Sequence, residues 1–116
     1  MSHIRELVNE IEFMRILEKS HDYPVFVLKH STRCPISAKA YQQYEEFARG
    51  YVEGDLEFTL VKVIEARPVS NLIAEKMDIM HQSPQLILLK NGEAVWNDSH
   101  YGITFEKMEE IVNEIV

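Results

Sequence analysis

The sequence has 116 residues, of which 46% are hydrophobic, so it can build one domain around its own apolar core. Its formal net charge of −7 argues against nucleic acid or an anionic membrane as the main partner, because both carry negative charge. No apolar stretch approaches the roughly 20 residues that span a bilayer, and no signal-peptide pattern opens the chain. We therefore expect one domain over residues 1–116, monomeric and cytoplasmic.

The first half of the chain alternates predicted helices and strands. Apolar residues three or four apart predict an amphipathic helix over residues 4–19, with Ile4, Leu7, Val8, Ile11, Met14 or Ile16, and Leu17 on one face. The nearly continuous apolar run 24–29 predicts a central strand that is buried on both faces. A second helix should end at Gly50, and residues 57–64 predict a second strand, parallel to the first. Pro68 suits the first turn of a third helix.

The second half begins with a predicted hairpin. Residues 85–90 read as a strand, and Asn91-Gly92 is typical of a type I′ turn, in which both central residues have positive φ. Residues 93–96 are then the antiparallel partner, and residues 97–102 a polar connection. Thr104 is a plausible N-cap for a last helix. The apolar residues of that helix recur at helical spacing: Phe105, Met108, Ile111, Val112 and Ile115.

Cys34 is the only cysteine, and it lies where the first strand passes into the second helix. With one cysteine no internal disulfide can form, which suits a reducing compartment. A helix start carries unpaired N–H groups and partial positive charge, which favour the reactive thiolate form. Arg33 and Lys39 are nearby cations, and His30 would be a third if it turned towards the loop. A free cysteine is often only a small buried hydrophobe, but this position favours a nucleophile.

Ser37 follows Cys34 by three residues and shares its helix face, one turn later. Its hydroxyl could donate a hydrogen bond to the thiolate or satisfy a backbone group of the first turn, and the pattern leaves both open. In neither role can it attack a disulfide. A disulfide formed at Cys34 should therefore persist until an external thiol arrives. Pro35 suits the first helical position and should keep the loop rigid.

The predicted order α-β-α-β-α-β-β-α, with Cys34 after the first strand and Pro84 before the third, resembles the thioredoxin fold. This resemblance implies an α/β protein with a single thioredoxin-like domain, whose central mixed sheet of about four strands is flanked by helices. The run 30–37, together with Pro84 and residues 99–101, resembles the monothiol bacilliredoxins, small proteins of bacteria that use the thiol bacillithiol. Their recurrent segment is Thr-Cys-Pro-Ile-Ser. Arg33 interrupts it here, so the match is confined to Cys34-Pro35-Ile36-Ser37.

The resemblance implies a thiol–disulfide oxidoreductase that removes bacillithiol from S-bacillithiolated proteins. Bacillithiol would be a co-substrate, the bacillithiolated proteins the clients, and no cofactor would be held permanently. Cys34 and Ser37 would be catalytic. Pro84 would be cis, leaving the Ser83 backbone open to an extended substrate. Thiol-binding and substrate-binding roles would fall to Arg33, Pro35, Ser83, Pro84, His100 and Thr104, the last two near the malate of bacillithiol, where the first N–H groups of the last helix could hold a carboxylate.

Two other functions fit parts of the pattern. One is an iron–sulfur carrier of the monothiol-glutaredoxin type, but those proteins have Gly-Phe where this chain has Pro35-Ile36, which should crowd a cluster. The other is a non-enzymatic binding module, because a fold does not fix a function. The histidines, which are His3, His21, His30, His81 and His100, show no helical metal-ligand spacing, so we expect no metal site. Trp96 should pack on the sheet.

Overall fold

Helices and strands alternate along most of the chain in the computed structural model, which describes residues 4–52 and 54–115. In this described part the strands are β1 (Ile4–Glu6), β2 (Val25–His30), β3 (Glu57–Lys62), β4 (Gln85–Lys90) and β5 (Glu93–Ser99). The helices are α1 (Glu10–Lys19), α2 (Pro35–Gly50), α3 (Arg67–Met77) and α4 (Phe105–Ile115), with a short 3₁₀ turn at His100–Gly102. None of these helices is long and apolar enough to cross a membrane.

The strands form one mixed sheet in the order β1-β3-β2-β4-β5, so β2 is central, as predicted from its apolar run. β2 pairs parallel with β3, as the intervening helix predicts, and antiparallel with β4. The predicted hairpin joins β4 to β5 through Asn91 and Gly92, whose φ values of 55° and 77° are both positive. The expected α/β architecture is thus confirmed, with five strands rather than about four.

Alternate residues of β2 supply two separate cores, one on each face of the sheet. Phe26 and Leu28 face α2 and α4, whereas Val25 and Val27 face α1 and α3. On the first face the Tyr44 hydroxyl donates to the carbonyl of Thr59 at 2.8 Å and accepts its N–H at 2.9 Å. These bonds fasten α2 to β3, and so help to hold the helix that begins at Cys34 against the sheet.

The predicted helix over residues 4–19 was wrong in its first part. Residues 4–6 form an edge strand parallel to β3, and Leu7 N–H continues the pairing by donating to Leu60 O at 2.8 Å. Asn9 then starts α1 by accepting the Glu12 N–H at 2.9 Å. The buried side chains of α1 are those of Phe13 and Ile16, whereas Ile11, assigned to the apolar face, is 65% exposed.

Two further boundaries differ from those predicted. β3 ends at Lys62 rather than at residue 64, and residues 97–99, expected in a polar connection, extend β5. The extension forms because these polar residues sit on an edge strand, where pairing with β4 holds the backbone while their side chains reach solvent. Thr104 is the predicted N-cap, accepting the Lys107 N–H at 3.1 Å, and Trp96 packs against the core as expected.

Candidate thiol site

Cys34 is the N-cap of α2, in extended conformation and partly exposed. Its N–H donates to the Ser31 carbonyl at 3.3 Å, and its carbonyl accepts the Ala38 N–H at 3.0 Å. Its own side chain makes no cap hydrogen bond, and Pro35 occupies the start of the first turn, where its missing N–H is not needed. The sulfur therefore lies at the positive end of a 16-residue helix, where an anion is stabilised.

Ser37 is fully buried, and its hydroxyl oxygen accepts the Ser31 N–H at 3.0 Å. This contact is the backbone role that the sequence left open, and it closes the loop that carries Cys34. An oxygen that accepts one hydrogen bond can still donate its own hydrogen. Donation from Ser37 to the Cys34 thiolate therefore stays a prediction.

Arg33 and Lys39, the two cations predicted near Cys34, are exposed, whereas His30, the third basic residue, is half-buried. The His30 ring lies 5.2 Å from the Tyr41 ring, and its Nδ1 is buried with no hydrogen-bond partner in the described part of the chain. Burial lowers the pKa of His30 from its ordinary value, so the ring is neutral at pH 7. His30 therefore supplies no positive charge to the site at neutral pH, and the role of Arg33 stays a prediction.

The Ser83–Pro84 peptide bond is cis, as the resemblance implied. β4 begins directly after it and runs antiparallel to β2, with Gln85 opposite Lys29. Pro84 therefore lies at the end of the sheet from which the Cys34 loop leaves. The Pro84 carbonyl accepts the His100 N–H at 3.0 Å, which ties the turn before α4 to the same place.

A cleft of about 180 Å³ separates the first two turns of α2 from the turn before α4. Lys39 and His100 are the basic residues on its wall, which is completed by Ile36, Ala40, Gln43, Tyr101, Ile103 and Thr104. The structure thus brings His100 and Thr104 together beside the start of α2. At α4, however, the Phe105 N–H donates to Gln43 Oε1 at 2.9 Å and the Lys107 N–H to Thr104. Two of the N–H groups expected to hold a carboxylate therefore already have partners.

Two residues of this region were missed by the sequence reasoning. Gln43 reads as an ordinary surface residue of α2, because nothing local shows that it caps another helix. Lys29 falls within the predicted buried strand, although a lysine in such a strand is itself unusual. It has no exposed surface, and its Nζ lies 3.0 Å from His81 Nδ1.

A metal site finds no support in the described residues. Among them, no three His, Cys, Asp or Glu side chains are grouped so that they could hold a metal ion. His3, one of the five histidines considered, lies outside the described residues.

Comparison with known proteins adds a family and a fold. The sequence model of the family described as monothiol bacilliredoxin BrxC matches residues 5–108. A solved structure described as a candidate oxidoreductase with a thioredoxin fold is 35% identical, with a TM-score of 0.81, over 93% of this chain and 92% of that one. Reduced thioredoxin pre-protein from Schistosoma mansoni is 23% identical, with a TM-score of 0.77, over 99% and 100%. Thioredoxin from Malassezia sympodialis is 13% identical, with a TM-score of 0.78, over 98% and 91%.

Proposed function

The chain belongs to the monothiol bacilliredoxin family, and from this premise we propose that it removes bacillithiol from S-bacillithiolated proteins by a one-cysteine mechanism. Family and fold make it a redox-active thiol protein of the thioredoxin kind. The observation that carries the finer proposal is the pairing of a partly exposed Cys34 at a helix start with a buried serine, Ser37, one turn later.

The reaction follows from these two side chains. The Cys34 thiolate attacks the bacillithiol sulfur of the client's mixed disulfide, the S–S bond breaks, and the client cysteine leaves as a thiolate. Cys34 now carries bacillithiol as a mixed disulfide. Since Ser37 offers no second thiolate, an external thiol must attack the bound bacillithiol sulfur: either a second bacillithiol or the thiol of a reductase. Attack by bacillithiol releases bacillithiol disulfide, attack by a reductase leaves bacillithiol on the reductase thiol, and in both cases Cys34 returns to its thiolate form.

Bacillithiol binding is proposed for the cleft beside α2. Its malate end carries two carboxylates, and Lys39 and His100 are the basic groups on the cleft wall. Thr104 and Gln43 line the same wall but already cap α4, so their remaining hydrogen-bonding capacity would serve the sugar hydroxyls. Arg33 and Pro35 on the loop, with Ser83 and Pro84 opposite, would contact the client.

The partners in this scheme are bacillithiolated client proteins and free bacillithiol, acting on a monomer. A single cysteine that must stay reduced between turnovers fits the cytoplasm. No permanently bound cofactor enters the scheme.

The proposal is tested by incubating the protein with a bacillithiolated client and weighing both products by intact-mass spectrometry. The client should lose one bacillithiol, and this protein should gain one at Cys34. Cys34→Ala is the matched control and should leave the client modified. The same client carrying glutathione, presented in parallel, should react more slowly. If Cys34 gains no mass from the bacillithiolated client, the proposal is wrong.

A further inference from the structure

The side chain of Lys29 is buried at the end of the central strand, and it has no counter-ion among the described residues. It lies on the same face of β2 as Val25 and Val27, towards α1 and α3, and so on the opposite face from α2. No ion pair within residues 4–52 and 54–115 includes it. Its hydrogen-bond partner is His81 Nδ1, at 3.0 Å.

The chemistry of this pair fixes the state of the histidine. An ammonium group has only donors, so His81 Nδ1 must accept, and the ring is neutral with its proton on Nε2. Burial lowers the pKa of His81, with the charges of Lys29 and Arg67 acting in the same direction. Ser70 Oγ lies 3.4 Å from the same nitrogen. Arg67 on α3 is thus a second cation that acts on His81, beside Lys29 itself.

His81 belongs to the segment that leads from α3 into the cis Ser83–Pro84 bond. Two buried polar side chains from neighbouring strands hold this segment. Lys29 of β2 binds it at His81, and Gln85 of β4, directly opposite Lys29, donates from Nε2 to the Met80 carbonyl at 3.2 Å. Both side chains point inward from the end of the sheet that carries the Cys34 loop.

Stability does not account for a lysine at this position. A buried cation without a carboxylate is destabilising, and an apolar side chain of the same length would fit a face built from valine, isoleucine and leucine. Lys29 also lies across the sheet from α2, so its contact is with the segment that ends at Pro84 rather than with Cys34 itself. Its effect should therefore be on what that segment binds.

We propose that Lys29 is a positioning residue: through its hydrogen bond to His81 it fixes residues 79–84 so that the Ser83 backbone meets the extended chain of the client. The proposal rests on the proposed function and deepens it, because it concerns how client proteins are recognised. It separates two classes of substrate. A client protein needs Cys34, the bacillithiol cleft and a correctly placed Ser83, whereas a small bacillithiol disulfide without a peptide chain needs Cys34 and the cleft but not Ser83.

The test compares two substrates of Lys29→Met: a bacillithiolated client protein, and the small mixed disulfide of bacillithiol with 2-mercaptoethanol. For the client we expect kcat/KM to fall roughly tenfold, mainly through a higher KM, because a misplaced binding segment lowers productive binding. For the small disulfide the rate should stay within about twofold of wild type. Lys62→Met, a half-exposed lysine at the same end of β3, is the matched control and should behave as wild type.

His81 provides an independent pair of variants that leaves the core lysine in place. His81→Ala should reproduce the client-specific loss. His81→Asn should restore most of the activity, because the asparagine Oδ1 can accept where Nδ1 does. An equal loss on both substrates, or no loss on either, would overturn the positioning role. If the wild-type protein itself fails to react with both bacillithiol substrates, the proposed function fails instead.

Discussion

Replacing Lys29 by methionine should reduce the rise in the free energy of unfolding that the wild-type protein shows between pH 7 and 9.5. Burial lowers the pKa of Lys29 from its ordinary value of 10.5 to about 8. One pKa unit corresponds to about 1.4 kcal/mol, so carrying this charge into the fold costs about 3 kcal/mol at neutral pH. Methionine has nearly the same length and no charge, so Lys29→Met removes that cost.

The sign follows from which state binds the proton. The unfolded chain keeps the lysine proton up to about pH 10.5, whereas the folded protein releases it near pH 8. Between these values the unfolded state binds more protons, so the free energy of unfolding rises with pH. Lys29 alone should add about 2 kcal/mol between pH 7 and 9.5. At higher pH a second group acts in the opposite sense. Because burial raises the pKa of Tyr44, this tyrosine ionises first in the unfolded chain, which lowers the free energy of unfolding. The window ends below the pH range in which this effect is large.

Urea unfolding, followed by the fluorescence of Trp96 at several pH values, measures both effects. At pH 7 Lys29→Met should be at least as stable as wild type. Removing the buried charge stabilises the folded state, and losing the hydrogen bond to His81 offsets about 1 kcal/mol of that stabilisation. The rise towards pH 9.5 should be about 2 kcal/mol smaller in Lys29→Met than in wild type and in Lys62→Met. Groups that titrate in all three proteins cancel in this comparison.

Two outcomes would refute this reasoning. If Lys29→Met kept the full wild-type rise with pH, the buried charge would not be the cause. If it lost several kcal/mol at pH 7, the lysine would be a stabilising member of the core, and the argument that it is retained for function would fail.

Three further substitutions test the site and its support. Ser37→Cys should let the mixed disulfide at Cys34 release its small thiol without external reductant. After desalting, intact-mass spectrometry should find the thiol still bound to wild type but lost from Ser37→Cys. Equal retention in both proteins would contradict the one-sulfur mechanism. Tyr44→Phe removes a buried hydroxyl that hydrogen-bonds the carbonyl and the N–H of Thr59, and it should lower the free energy of unfolding by about 1–3 kcal/mol, measured in urea. Gln43→Ala removes a cap of α4 and should cost about 1 kcal/mol, whereas the exposed neighbour Gln42→Ala should change the midpoint little; equal effects would exclude the cap.

Much of the fold could be predicted because local chemistry and tertiary structure agree. β2 reads as buried on both faces because it is central, and Asn91-Gly92 reads as a turn because both residues need positive φ. Cys34 was found in the same way, from the change of pattern where a strand meets a helix. The cis state of Pro84 came only from the resemblance, since nothing local distinguishes it from a trans proline.

The errors lie where distant parts of the chain decide. Residues 4–6 carry apolar and charged side chains that suit a helix as well as an edge strand, and the strand forms because β3 offers an unpaired edge more than fifty residues later. The contact between Lys29 and His81 likewise joins residues 52 positions apart. The sequence shows an unusual lysine in a buried strand, but it does not show which residue this lysine contacts.

Several departures from ordinary packing lie at the end of the sheet that carries the Cys34 loop. There Lys29 buries a charge, and Gln85 and Ser83 bury oxygens that have no hydrogen-bond partner within residues 4–52 and 54–115. His100 has a φ of 54°, which is uncommon outside glycine. Such features cost free energy, and proteins keep them mainly where function requires them. Lys29 and Gln85 lie on the face towards α1 and α3, and the His100 N–H donates to the Pro84 carbonyl at the same end of the sheet. We therefore infer that the functional unit extends well beyond the Cys-Pro-Ile-Ser segment, from the cleft beside α2 to the segment that Lys29 holds.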